Sequence, residues 1–264
     1  MPQPLTPLDA AHARMVGAPE DDAARLRFYE RIADGELFLL LEREAEGSDL
    51  APRVFELEEG PVVLAFDTEE RLAEFLGAPA PYAALPGRVI ATALAGQGTG
   101  LGLNLGVAPS SYLIPAEALD WLAQTLQNAP VAAEDRPDRF HAPGGLPEGL
   151  VQTLDAKLAR AGGLAAAALL AGVTWQSGRR GHLLAFLDAR PGAEGPLARA
   201  AAEALTFSGV EAGEMDVVFL TRSEPAAEAM SRVSLRFDLP EPQRPEPAAP
   251  SAPGSDPDRP PILR

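Results

Sequence analysis

Apolar residues fall into two kinds of stretch along the chain: some recur at helical spacing, others form short alternating or continuous runs. Thr6-Pro7-Leu8-Asp9 has the form of a helix start, with a hydroxyl N-cap, a proline in the first turn and an acid at the third position. That helix is expected to stop at Gly17. A second follows Pro19, with Glu20, Asp21 and Asp22 where acids suit the helix dipole. Leu26, Tyr29, Ile32 and Ala33 share its inner face, and Gly35 ends it. Three strands are predicted next, at 36–42, 53–58 and 61–67. The second alternates polar and apolar residues, and Glu59-Gly60 turns it into the third. Asp67 with Glu70 reads as a capping box opening a helix through Leu76. A proline-rich connection leads to a helix from Pro86 to Ala95. A glycine-rich strand follows from Leu101 to Val107, then a helix from Pro115 to Gln127 with Leu119, Leu122 and Leu126 inward.

The second half repeats the theme without repeating the sequence. Leu150, Leu154, Leu158 and Ala161 mark a helix closed by Gly162-Gly163, and a strand ends near Trp175. Ser177-Gly178-Arg179-Arg180-Gly181 turns the chain into a strand at 182–188. A helix is expected from Pro196 to Phe207, a strand from Met215 to Thr221, a short helix from Glu224 to Met230 capped by Ser223, and a last strand from Val233 to Leu239. Hairpins with interspersed helices in each half predict an α+β protein: two domains, each a mixed or mainly antiparallel sheet packed with helices. Strict strand–helix–strand alternation is missing, which argues against a doubly wound fold.

Residues 128–146 hold three prolines and a glycine pair without a sustained period. They divide the chain into a first domain at 1–130, a linker at 131–146 and a second domain at 147–239. From 240 to 264 proline recurs every few residues and large apolar side chains are nearly absent. Such a tail is expected to be disordered or polyproline-like, because it buries too little surface to offset its ordering entropy.

Composition narrows the function. Of 264 residues, 46% are hydrophobic and 23% charged, the balance of a globular chain. Acids outnumber bases 38 to 22, a net charge of −16. Such a chain repels polyanions, so neither nucleic acid nor an anionic membrane surface is an expected partner. Residues 1–130 hold 20 acids against 8 bases, so a cationic partner would meet the first half. The one lysine, Lys157, stands among many arginines and reads as a mark of composition. Arg31, Arg43, Arg53 and Arg71 read as members of weak surface ion pairs. There is no cysteine, which excludes disulfides, thiolate chemistry and cysteine-ligated metals. The first residues lack the basic and apolar regions of a secretory leader, and the longest apolar run is too short to span a bilayer, so a cytoplasmic location is expected.

The candidate chemistry is sparse. Gly96 to Gly106 is glycine-rich, but neither a dinucleotide fingerprint nor a P-loop fits its register. His12, His141 and His182 have no ligand spacing, and no strained serine elbow occurs. No cofactor, metal or catalytic group is therefore expected. Two places could contact a ligand or partner. One is the strand-to-helix connection with Asn104, Gly106 and Ser110. The other is the turn with Arg179, Arg180 and His182, where the arginines and the histidine could hold an anion.

The stretch Leu101–Leu122, LGLNLGVAPSSYLIPAEALDWL, carries a strand with Asn-x-Gly, a short polar segment and a proline-opened helix. It resembles the N-terminal domain of the enhanced-serine-sensitivity (SseB-like) family. The usual form there is close to Ile-Asn-Pro-Gly, and Leu105 stands at the proline. The opening helices, the hairpin of Phe55–Thr68 and Ala84-Leu85-Pro86-Gly87 before a helix agree with that layout. Residues 146–239 resemble the family's C-terminal domain. The resemblance implies a cytoplasmic accessory or regulatory role close to serine or sulfur metabolism and supplies no catalytic residues. The expectation is a non-enzymatic protein acting on an unidentified protein partner. The alternative is a sensor of a small molecule, an amino acid or another anion.

Overall fold

A computed structural model describes residues 4–45, 47, 50–58, 60–127, 136–146, 148–209 and 215–240. In the first half the order is α1 (Pro7–Gly17), α2 (Asp22–Asp34), β1 (Glu36–Leu40), β2 (Val54–Leu57), β3 (Gly60–Phe66), α3 (Glu69–Leu76), β4 (Tyr82–Pro86), α4 (Gly87–Leu94), β5 (Gly100–Leu103), β6 (Tyr112–Ile114) and α5 (Ala116–Gln127). The second half continues with β7 (Pro137–His141), α6 (Glu148–Arg160), β8 (Ala167–Trp175), β9 (Arg180–Leu187), α7 (Glu194–Phe207), β10 (Met215–Leu220), α8 (Pro225–Ser231) and β11 (Leu235–Asp238). The fold is α+β, with two mixed sheets each packed with helices.

Local chemistry explains most boundaries. Thr6 caps α1 in a reciprocal capping box with Asp9, and Asp21 caps α2 through the N–H groups of Ala23 and Ala24. The cap of α3 is Thr68, not Asp67: the Thr68 hydroxyl accepts from the Arg71 N–H, while Asp67 is drawn into an ion pair. Ser223 likewise does not cap α8. Glu224 is the N-cap residue, and its carboxylate accepts from the N–H of Thr221 instead.

The first sheet runs β4-β1-β3-β5-β6, with β2 also paired to β3. β3 and β5 are parallel, and its other pairs are antiparallel. The proline-rich connection before α4 holds β4, which gains its hydrogen bonds from β1 although its pattern is not that of a strand. α4 begins at Gly87, where a Cβ would lie 1.9 Å from the Ile32 carbonyl oxygen, so only glycine lets α4 approach α2 this closely. The second sheet runs β10-β9-β8-β11, with β7 also on β8 and with β9 and β10 parallel. The stretch read as a linker thus contributes β7, whose Phe140 and His141 pair with Val173 and Gly172. Its residues 131–135 lie outside the described residues, as do the chain start at 1–3 and the tail from 241.

Alternation along the strands gives each sheet two apolar faces. On the first sheet, Leu37, Leu39, Val63, Leu101 and Leu103 pack under helices α1, α2, α4 and α5. On the second, Leu170, Leu184 and Phe186 pack under α6 and α7. The two helical layers meet. Phe207, the last residue of α7, is fully buried in the core of the first half, with its ring 6.4 Å from that of Trp121. α3 lies on the opposite face of the first sheet and α8 on the opposite face of the second.

Candidate functional site

The strand Leu101–Val107 stops at Leu103, because Asn104 adopts φ 50° and turns the chain. Asn104 is fully buried. Its Oδ1 accepts from the Asp67 N–H at 3.1 Å, and its Nδ2 donates to Ser110 Oγ at 2.9 Å. Ser110 is equally buried and donates to Asp9. Both side chains therefore face an internal network and not solvent. Gly106 is exposed at φ 73°, and its N–H donates to Ser111 Oγ.

This network centres on Arg71, only 2% exposed. Its guanidinium reaches Asp67 Oδ1 at 2.7 Å and Asp9 Oδ1 at 3.1 Å. Thr6 Oγ1 donates to Asp67 at 2.6 Å. Burial by itself would raise the Asp9 carboxyl, but hydrogen bonds from Arg71, Ser110 and the Thr6 N–H outweigh it and hold its pKa at about 2. The Asn-x-Gly turn is thereby tied to the start of α1 and the end of β3. Asn104→Ala leaves the buried Asp67 N–H without an acceptor and places alanine in the left-handed region. It is expected to cost about 1–3 kcal/mol in urea unfolding, and an unchanged midpoint would mean that the network does not depend on it.

The second candidate group lies elsewhere. Arg179 stacks on Trp175, with its guanidinium carbon 4.8 Å from the ring centroid, and pairs with Asp216 at 2.7 Å. Arg180 is exposed on β9. His182 Nε2 lies 3.1 Å from the Gly144 carbonyl oxygen. The turn is thus knitted into its own sheet.

What composition and spacing did not single out is an ion cluster where the halves meet. Lys157 of α6 is 7% exposed. Its Nζ lies 3.0 Å from Asp34, 3.1 Å from Glu203 and 3.4 Å from Glu30. Arg88 bridges Asp34 and Glu203, and Arg160 reaches Asp34 at 3.2 Å. Burial pushes Glu30 up from its ordinary pKa, with Lys157 opposing. Burial acts the same way on Asp34, but there Lys157 and Arg88 prevail and its pKa falls. The lone lysine, read above as a mark of composition, therefore joins the two halves, and Arg71 is an interior group, contrary to its reading as a member of a weak surface ion pair. Their spacing to partners 62 and 123 residues away carries no local signal.

The third feature is the outer face of the first sheet. Leu40, Val62, Leu64 and Phe66 are buried there under α3. Phe38, Phe55, Tyr82, Leu105, Val107 and Leu113 are only half-buried. The eight-residue α3 covers part of this face, and Leu57 and Phe75 extend it at 43% and 37% exposure. Exposed Glu56, Glu58, Glu70 and Glu74 stand on β2, just beyond it and on α3. Tyr82 is hydrogen-bonded to Glu69, which with burial and the charge of Glu44 raises the phenol pKa.

Residues 8–121 match the family described as SseB protein N-terminal domain. These residues form an SseB N-terminal domain. The matched SseB domain takes in the whole first sheet, the Asp9–Arg71 network and the half-covered face. No family match extends to the second half, so its resemblance to an SseB C-terminal domain rests on the layout of its elements. No curated protein and no solved structure matches the chain. Among the described residues no group of three acidic or histidine side chains could hold a metal ion, and no helix is long and apolar enough to cross a membrane.

Proposed function

We propose that the protein is a non-catalytic, cytoplasmic accessory or regulatory protein that works by docking a basic, amphipathic segment of another protein. The observation that carries this reading is the half-covered outer face of the SseB domain. Phe38, Phe55, Tyr82, Leu105, Val107 and Leu113 leave apolar area in contact with water, and a partner's apolar side chains would cover it. The carboxylates of Glu70 and Glu74 on α3 beside it favour a cationic partner, in keeping with the acidic balance of residues 1–130.

The test starts from the full chain. A photo-reactive side chain at position 57 captures the neighbour of this face in cells, and the captured protein is then purified. Its direct binding is measured to the wild type and to the Phe55→Ser, Leu57→Asp double variant. The expected result is a loss of about tenfold or more in the variant, with affinity falling as salt is added. A protein that binds both forms equally, or binds more tightly in high salt, would sink the reading.

A second reading, a sensor of a small anion, is favoured by one specific observation: a cleft on the seam between the halves lined by three arginines.

A further inference from the structure

The cleft has a volume of about 720 Å³, within the range of small-molecule sites. Arg14 of α1 lines it with Arg27 and Arg31, one turn apart on α2, and α6 closes it with Gln152 and Thr153. The walls between them are small, including Ala10, Ala11, Ala23 and Ala24.

Among the described residues none of the three arginines makes an ion pair or a side-chain hydrogen bond. In a chain with 38 acids and 22 bases this is unexpected, since Arg71, Arg88, Arg160, Arg179 and Arg222 all pair with carboxylates. Arg27 Nε is buried without a partner. Its guanidinium rests on Gly149 of α6, where a Cβ would lie 1.2 Å from Arg27 Nη2, so it is held across the seam and cannot turn to another acid without losing that contact. Glu30, 5% exposed, also lines the cleft, and its Oε1 accepts no hydrogen bond. Asp21 is occupied by capping α2. The cleft therefore offers three arginines without an ion pair on one side and, on the other, a buried carboxylate oxygen that accepts no hydrogen bond, with Lys157 Nζ 3.4 Å away and the charge of Arg31 acting on it.

Two negative groups would neutralise the arginines, and a hydroxyl or ammonium would satisfy Glu30. We propose that the α1–α2–α6 cleft binds a small dicarboxylate that carries a hydroxyl or ammonium donor. This deepens the sensor reading and rests on it. Glu30 also faces Lys157, so an occupant of the cleft touches the ion cluster that joins the halves.

Isothermal titration of the full chain with malate, aspartate, succinate and inorganic phosphate tests the proposal. Malate or aspartate is expected to bind saturably, and succinate, which lacks the donor, about tenfold more weakly. Arg14→Gln and Arg31→Gln are each expected to weaken binding about tenfold while the unliganded melting temperature stays the same. The proposal is overturned if no dicarboxylate binds, if both variants bind like the wild type, or if phosphate or succinate binds as tightly as malate. A different metabolite whose thermal shift survives both substitutions would preserve the sensor reading and still overturn this site.

Discussion

Lys157→Met is expected to destabilise the protein by about 3–5 kcal/mol at neutral pH, the usual cost of removing one partner from a buried ion cluster. The methionine nearly matches the volume, so the loss is electrostatic. Glu30, Asp34 and Glu203 have side chains only 7%, 9% and 4% exposed. Arg88 and Arg160 still compensate Asp34, and Arg88 still compensates Glu203. Glu30 is left with no ion-pair partner among the described residues. The pH dependence gives the test its sign. In the wild type, the lowered pKa of Asp34 contributes stability that is present above its unfolded value and lost as pH falls through the folded one. In the variant, the unpaired Glu30 carboxylate prefers to be protonated, so acidification relieves its burial. The gap between the two proteins should narrow as pH falls from neutral toward the carboxylate range. Urea unfolding across that range measures it, and a small, pH-independent difference would show that the cluster is solvated and weak.

Arg71→Leu is expected to cost a similar amount, about 3–5 kcal/mol, because it strands Asp9 and Asp67 inside the SseB domain. Arg71→Lys should not restore the loss. One ammonium cannot reproduce a planar fork that reaches Asp9 through two nitrogens and Asp67 through one. Asp9 gives this prediction its pH signature. Its folded pKa of about 2 lies below its ordinary value of 3.8, so its contribution is full above about pH 4 and vanishes as pH falls toward 2. By linkage that contribution is about 2–3 kcal/mol. Without Arg71 the main cause of the depression is gone, and acid unfolding should begin at higher pH. Circular dichroism during acid titration checks this, and coincident acid transitions for the two proteins would contradict the network as described.

Much of this architecture was legible residue by residue. The Thr6 cap, the acids opening α2, the alternation in 53–58 and the leucine spacing of α5 and α6 are local features, decided within three or four residues. Where reading failed, a distant partner had decided the outcome. β4 and β7 are strands only because β1 and β8 offer open edges to proline-containing segments. Asp67 has the form of a cap, but the Arg71 guanidinium one helical turn on competes for its carboxylate and wins. The candidate residues show the same division. Asn104 was recognisable as a special position, since Asn-x-Gly favours a left-handed turn. That its side chain faces Ser110 and Asp67 inside the protein depends on how α1 is laid against the sheet.

By itself the sequence determined most element types, the α+β class, the acidic balance of the first half and the likeness of that half to the SseB domain. The first three follow from local spacing, caps and composition, and the last from a resemblance carried by residues 101–122. Only the tertiary structure decided which charges are buried together, which apolar face stays half-covered and which arginines are left facing a cleft. Lys157 and Asp34 are 123 residues apart in the chain and 3.0 Å apart in space. Side chains of one type look alike in a sequence, and their energies diverge only when packing removes water from some of them and brings opposite charges together.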